Sequence, residues 1–267
     1  MPFNRVMASI TGRRFILAAL NSEDLELNYD VEGQIASQFP GQTPTRKGDQ
    51  ILLTLGAVDL IAASSLGYAI DADSVHDEAI FTITMTTGGL LAGRGGKGGS
   101  GGFADAQINP PIEDLSGPGQ PGKVGGTAIR YGCITNVIGT GEIRKGYGGG
   151  GGGGGYGQTF PLGGGGGGGG GAALGDGGAG GIAKPPFDGV DGNAGTVATV
   201  ANNGTGGTGG NANAGDGGDG GDTGSVSQAG TAGSKAGGAA GVDGNAIDSQ
   251  GLTHTEGGGI TVTGDII

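Results

Sequence analysis

The sequence of 267 residues is short of aromatic, sulfur-containing and basic side chains, and each shortage excludes a class of protein. It has no tryptophan and a single cysteine, Cys133, which excludes both an internal disulfide framework and a zinc site built from cysteines. Only 13 basic residues face 25 acidic ones, which argues against the concentrated basic surface that nucleic acid requires. No apolar run approaches the roughly 18 residues of a membrane-spanning helix. The FILAAL run near the N-terminus is too short for a signal peptide, and we expect none.

Glycine is the residue present in excess, with 72 copies. Collagen is excluded, because glycine does not hold every third position throughout and there are only 10 prolines. Only 6 of the glycines lie in residues 1–87. We therefore predict two parts: a β-rich head over residues 1–87 and a glycine-rich body over residues 88–267.

The head shows the period-two pattern of half-buried β-strands. Leu27, Tyr29 and Val31 alternate with polar residues in ELNYDVEG, and EAIFTITM repeats the pattern around Phe81. Residues 41–48 read as a polar loop. The apolar run ILLTLGAVDLIAAS fits either a strand or a helix. The predicted fold class is therefore mostly β or irregular.

The glycine-rich body keeps a three-residue phase. In GRGGKGGSGGF the non-glycine residues Arg94, Lys97, Ser100 and Phe103 are three positions apart. Three residues per turn is the repeat of the polyproline-II type of helix. Because isolated helices of this type leave their backbone polar groups unpaired, a stable body must pair these groups between neighbours. The phase thus predicts a polyglycine-II helix bundle rather than a disordered, low-complexity tail.

Two glycine runs are uninterrupted, at residues 148–155 and 163–171. A helix without side chains can be surrounded on every side, so we predict that these two runs are the inner helices of the bundle. Three apolar and threonine-rich repeats, at residues 81–93, 133–146 and 259–267, read as β-strands that stack on one another. We expect these strands to cap the end of the bundle next to the head and to supply hydrophobic burial.

If the helices of the bundle alternate in direction, their linkers fall at two ends. This alternation places residues 103–116, 156–162, 182–188, 211–214 and 246–256 at the end far from the head. Aromatic residues and prolines collect in these linkers, as they do in loops that form binding surfaces on a rigid scaffold. The candidate binding residues are the aromatic, carboxylate, carboxamide and imidazole groups of these linkers. They are Phe103, Asp105, Gln107, Asn109, Tyr156, Gln158, Phe160, Phe187, Asp188 and His254.

Two structural alternatives stay open for these groups. The phenylalanines could pack on one another to close the tip, and Tyr156, with Tyr147 at the other end of the first glycine run, could cover a helix end. Motifs that look catalytic follow from glycine abundance: residues 98–102 match the G-x-S-x-G pattern, yet no strand precedes them and no helix follows. We read the aspartates of GDGGDGGD as a solvated edge rather than a calcium site. We expect no catalytic residue, metal or cofactor.

Three motifs of the chain resemble the glycine-rich motifs of phage tail-fibre tip adhesins of the T-even type. They are GGLLAGRGGKGGSGG, IGTGEIRKGYGGGGGGGGYG and GGGITVTGDII. The resemblance covers residues 81–267, whereas the head does not match that family's attachment domain. It implies a polyglycine-II sandwich between an attachment domain and distal loops that bind outer-membrane proteins or surface glycans.

The combined prediction is a non-enzymatic phage adhesin located at the tail tip of the virion. Its expected partners are a host outer-membrane protein or surface polysaccharide and, through the head, other tail-fibre proteins. A homotrimer and a monomer on a trimeric fibre are both compatible with the sequence. The alternative from another class is an ice-binding protein on a polyglycine-II bundle, which would use threonine rows such as that of GTGGTGG.

Overall fold

The computed structural model describes residues 12–21, 25–26, 28–107, 113–185 and 189–267. In this part of the chain the structure is mostly β or irregular, and one helix of eight residues interrupts the strands. No helix of the described residues is long and apolar enough to cross a membrane.

The elements are short, and most strands have two to six residues. The strands are β1 (Arg14–Ile16), β2 (Leu25–Glu26), β3 (Tyr29–Asp30), β4 (Gln50–Leu55), β5 (Asp59–Ile61), β6 (Tyr68–Ala72), β7 (Ile80–Met85), β8 (Leu90–Ala92), β9 (Ala106–Gln107), β10 (Glu113–Asp114), β11 (Thr127–Tyr131), β12 (Ile134–Gly139), β13 (Glu142–Arg144), β14 (Leu162–Gly163), β15 (Gly189–Val190), β16 (Ile247–Asp248), β17 (His254–Gly258) and β18 (Thr261–Thr263); the helix is α1 (Val31–Gln38).

Fourteen of these strands form three parallel sheets. The sheets have the orders β1-β4-β7-β12-β17, β2-β5-β8-β13-β18 and β3-β6-β11-β16. Successive strands visit the three sheets in a fixed cycle, so that each turn of the chain adds one strand to each sheet. The result is a three-sided parallel β-solenoid, in which every turn stacks on its neighbours.

Alternating side chains fill the interior of the solenoid. Leu60, Leu91 and Ile143 stand in register on three successive strands, and all three are completely buried. Such columns bury apolar area on the inner strands of the sheets, which is the main source of stability in this part of the molecule. The prediction that the three threonine-rich repeats stack is confirmed, because β7 and β12 of the first two repeats pair in one sheet and β8, β13 and β18 of all three pair in another.

The glycine-rich chain leaves the solenoid twice at the same corner. The first departure follows β8 and returns at β11, and the second follows β13 and returns at β16. The turn from β5 to β6, at the equivalent corner, needs only residues 62–67. The glycine-rich segments are therefore long insertions at one corner of a regular solenoid.

The first pure glycine run donates hydrogen bonds to three different neighbours in turn. Its carbonyls accept hydrogen bonds in the same three-residue rotation, for example from Gly99 and Gly102 at 2.8 Å each. Donors three residues apart reach the same neighbouring segment, which is what a three-fold chain geometry produces. Three consecutive donors illustrate the rotation: Gly152 donates to Gln120 O (2.9 Å), Gly153 to Gly166 O (2.8 Å) and Gly154 to Thr231 O (3.0 Å).

These segments approach too closely for any side chain. A Cβ atom added to Gly152 would lie 2.1 Å from the carbonyl oxygen of Ser100, and one added to Gly168 would lie 2.1 Å from that of Gly150. Every glycine of residues 148–155 and 163–171 is buried. The prediction that these two runs lie innermost is confirmed.

On outer segments, some side chains accept the backbone hydrogen bonds that a further neighbouring segment would otherwise accept. Asp216 and Asp219 accept hydrogen bonds through Oδ1 from the N–H groups of Gly209 (2.7 Å) and Gly206 (2.8 Å). Asp222 Oδ1 similarly accepts from the backbone of the turn that follows it. These carboxylates thus satisfy backbone donors at the surface of the glycine-rich region.

Two expectations about the solenoid need correction. Val31 begins α1 instead of ending a strand, because it lies four positions before Ile35 on one helix face and both side chains are buried against the solenoid. Leu27 lies outside the described residues.

Residues 246–256 do not lie at the end far from the sheets, since β16 and β17 pair with β11 and β12. The sequence count missed a reversal at residues 233–235, where Gly233 N–H bonds to Lys235 O (3.0 Å).

The predicted division after residue 87 follows composition. The sheets cross it, because β11 and β16, which come later in the chain, pair with β6 and with each other. The division into two domains stays a prediction about independent folding.

Alanine substitutions at two glycines test the close approach of the segments. Gly152→Ala should lower the free energy of unfolding by about 3 kcal/mol, because a Cβ would overlap backbone that cannot move aside. Gly224→Ala is the control, since the nearest atom to its Cβ would be Asp222 Oδ1 at 3.6 Å. Denaturant unfolding measures both changes, and equal effects would contradict the packing described here.

Two isoleucines test whether β13, which lies between the two glycine-rich insertions, contributes to the core of the solenoid. Ile143→Ala should cost about 2–5 kcal/mol of stability, because it empties a buried position. Ile138→Ala removes the same atoms from a side chain that is 42% exposed and should cost less than about 1 kcal/mol. Thermal unfolding of both variants decides; a similar loss for the two would mean that β13 is not part of the core.

Candidate functional site

Loops from distant parts of the chain meet at the end of the glycine-rich segments opposite the sheets. In chain order the five loops span residues 103–116, 156–163, 182–191, 211–214 and 233–235, and we call the surface formed by their described residues the distal surface. A backbone bridge links the first loop to the third, β14 of the second loop pairs with β15 of the third, and β9 pairs with β10 within the first loop. A small apolar cluster of Ala104, Ala106, Leu162 and Ala183 lies beneath.

A lysine in the third loop holds the first predicted aromatic residue. Lys184 Nζ lies 4.0 Å from the centroid of the Phe103 ring and 3.2 Å from Asp105 Oδ2. The lysine thus makes a cation–π contact and an ion pair at once. The Phe103 side chain remains 38% exposed, so its ring is displayed at the surface and fixed from one side.

The second loop displays further predicted residues. Tyr156 is half-buried, and its hydroxyl lies 3.0 Å from Thr159 Oγ1. Gln158 is exposed, and Phe160 is 43% exposed. Gln107 is exposed in β9 of the first loop. The structure therefore gathers six of the predicted site residues on one surface.

Three other predicted site residues, Asn109, Phe187 and Asp188, lie outside the described residues. Their neighbours on both sides belong to the first and third loops of the distal surface.

His254 lies elsewhere in the molecule. It is in β17, at the solenoid end, where its ring stacks on Tyr131 with centroids 5.4 Å apart. Its Nε2 atom lies 2.9 Å from Glu256 Oε1, and only 10% of its side chain is exposed. The prediction that His254 shares a surface with the other site residues is wrong, for the same reason as the placement of residues 246–256.

Several residues that shape the distal surface were not among the predicted site residues, although Asn211 belongs to a linker, residues 211–214, that the sequence placed at this end. Asn211 donates from Nδ2 to the carbonyl oxygen of Pro161 (2.7 Å), and its Oδ1 accepts from Asn213 and Ala214. An asparagine followed by small residues is a turn signal that could have found it. Ser234 and Lys235 also lie on this surface, but their turn carries neither proline nor an aromatic residue.

Electrostatics on the distal surface come from local ion pairs. Burial opposes ionisation of Asp114, but the nearby Ser234 hydroxyl, the hydrogen bond from the Ser116 N–H and the charge of Lys235 outweigh it and lower the pKa of this carboxyl. Asp114 is therefore ionised at neutral pH. In the described part of the chain, no cluster of three or more histidine, cysteine, aspartate or glutamate side chains is arranged to hold a metal ion.

A displayed set of loops on a rigid scaffold is the architecture of a binding protein. The sequence profile of one family, Phage tail fibre adhesin Gp38, matches residues 19–267. The protein is thus of the class of phage tail fibre adhesins. The chain belongs to the Gp38 family of these adhesins.

The other comparisons add little to this assignment. The chain is similar to the solved structure described as the gp37–gp38 adhesin tip complex of the bacteriophage S16 long tail fiber, with 20% sequence identity and a TM-score of 0.48. That similarity covers 95% of this chain and 82% of the other. No curated protein matches the chain.

Family membership decides between the function classes that the sequence left open. The protein is a non-enzymatic component of the phage tail fibre that binds a receptor on the host. The ice-binding alternative is set aside, because the family is one of phage adhesins.

Proposed function

We propose that the adhesin binds its receptor through the distal surface, while a polyglycine-II bundle acts as a stiff spacer and the solenoid attaches the protein to other tail-fibre proteins. The observation that carries the proposal is the convergence of five separate loops at the end of the glycine-rich segments opposite the sheets. Exposed aromatic side chains on that surface, such as Phe160, supply contact area at low entropic cost.

The hydrogen-bond rotation supports a bundle of polyglycine-II helices. Each of the two inner segments exchanges backbone hydrogen bonds with six neighbours, and eight outer segments complete a ring around them. Two adjacent sites of a hexagonal array have eight outer neighbours, so the count fits three layers of three, four and three helices. In chain order the helices would be 93–102, 117–126, 146–155, 163–171, 175–182, 190–198, 204–210, 215–222, 227–233 and 235–245.

The length of such a helix sets the reach of the spacer. At about 3.1 Å per residue, the ten residues of 146–155 span about 30 Å. Because every helix hydrogen-bonds to several neighbours, the bundle resists bending as a unit. A stiff spacer of this length would hold the distal surface clear of the fibre.

The distal surface suits a host outer-membrane protein or a surface polysaccharide. Its exposed groups combine aromatic rings with carboxamides such as those of Gln107 and Gln158. Aromatic rings pack on protein side chains and on the apolar faces of sugars, and carboxamides donate and accept hydrogen bonds with either.

Loop replacement tests the placement of the receptor site. One variant replaces residues 108–112 and 186–188, in the middle of the first and third loop sequences, with glycine and serine linkers of the same length, which leaves the paired residues of β9, β10 and β15 in place. We expect it to lose binding to host cells while its unfolding midpoint stays close to that of the parent, because the strand pairings that flank the exchanged residues are unchanged.

The matched control replaces residues 199–203, a linker at the solenoid end of the bundle, with the same kind of linker. This control should bind host cells like the parent. If the distal variant, still folded, binds as well as the parent, or if the control loses binding, then the distal surface is not the receptor site.

A further inference from the structure

The turn at residues 233–235 lies between two of the loops proposed to bind the receptor. We propose that Ser234 and Lys235 are positioning residues: they hold the described parts of the first and second loops in one fixed arrangement without themselves contacting the receptor. The inference rests on the proposed function of the distal surface.

Ser234 fixes the point where the second loop begins. Its hydroxyl donates to the carbonyl oxygen of Gly155 (3.1 Å) and accepts from the N–H of Gly157 (3.3 Å). The Lys235 N–H donates to the same Gly155 carbonyl (3.3 Å). The backbone on both sides of Tyr156 is therefore bonded to this turn.

Lys235 reaches the first loop from the same turn. Its Nζ atom donates to the carbonyl oxygen of Asp114 (3.2 Å) and lies 3.7 Å from Asp114 Oδ2. The Asp114 side chain is only 13% exposed, and its Oδ1 accepts from the N–H of Ser116 (2.9 Å). A hydrogen bond donated by a charged ammonium group is stronger than one between two neutral groups, and the nearby carboxylate adds an ionic attraction.

The two loops also touch each other at a point where no side chain fits. A Cβ atom on Gly157 would lie 2.2 Å from Asp105 O and 2.5 Å from Ser116 Oγ. Ser116 Oγ in turn accepts from the Asp105 N–H (3.1 Å) and donates to its carbonyl oxygen (3.2 Å). Ser234, Lys235, Asp114, Ser116 and Gly157 thus form one connected network across three loops.

The residues of the network are buried or half-buried, whereas Gln107, Gln158 and Phe160 on the same two loops are exposed. Fixing these buried contacts before binding reduces the ordering cost that the receptor contact must overcome. The network should therefore change affinity through the loops it holds.

The test compares single substitutions at Lys235 in the full-length adhesin. Lys235→Gln should weaken binding to host cells about tenfold, because the loops lose a charge-assisted anchor and must be ordered on binding. Amide hydrogen exchange at Ser116 and Gly157 should accelerate by a similar factor, about tenfold. The unfolding midpoint should stay close to that of the parent, and Lys235→Arg should restore binding and slow exchange.

Lys123→Gln is the matched control, because Lys123 is an exposed lysine on the side of the glycine-rich region. It should bind and exchange like the parent. The proposal is overturned if Lys235→Gln leaves exchange at Ser116 and Gly157 unchanged. It is also overturned if Lys235→Gln binds like the parent while the loop-replacement variant described above does not bind. Binding by that loop-replacement variant would instead overturn the proposed function, whatever Lys235→Gln does.

Discussion

The structure depends on one constraint: a chain with almost no side chains over long stretches must satisfy its backbone polar groups by pairing them between segments. Unpaired buried N–H and C=O groups are costly, and glycine adds the largest entropic cost of ordering. The three-residue rotation of donors answers this constraint, since it gives each inner segment partners on all sides. Because carbonyl oxygens lie about 2 Å from where a Cβ would be, the same arrangement makes glycine obligatory at inner positions.

The solenoid supplies what the glycine-rich region lacks. Its buried apolar columns provide hydrophobic stabilisation, and both glycine-rich insertions begin and end on strands of those columns. An insertion at a fixed corner leaves the register of the sheets unchanged, so its length can differ from that of the six-residue turn between β5 and β6. The loops at the remote ends of the insertions do not contribute side chains to the solenoid core. This separation from the core suits residues that form a binding surface.

Local patterns predicted much of this architecture, because they report constraints that act within a few residues. The period-two run around Phe81 became β7, and the two uninterrupted glycine runs became the innermost segments. The single error of placement arose from counting chain reversals. The turn at Ser234 and Lys235 contains no proline or aromatic residue that would mark a chain reversal. The number of reversals counted from the sequence was therefore one too few, and His254 was assigned to the wrong end. Lys184 contacts Phe103, and Lys235 contacts Asp114, across loops that are far apart in sequence. No local sequence pattern reports such contacts.

Amide hydrogen exchange of the pure glycine run at residues 148–155 tests the central claim most directly. The account predicts protection comparable to that of the buried strands such as β7, because each of Gly149–Gly155 donates a backbone hydrogen bond inside the molecule. Protection should be lost together with that of its hydrogen-bonded neighbours as denaturant is added. Exchange of these amides at the rate of an unstructured chain, with the solenoid strands still protected, would contradict the account.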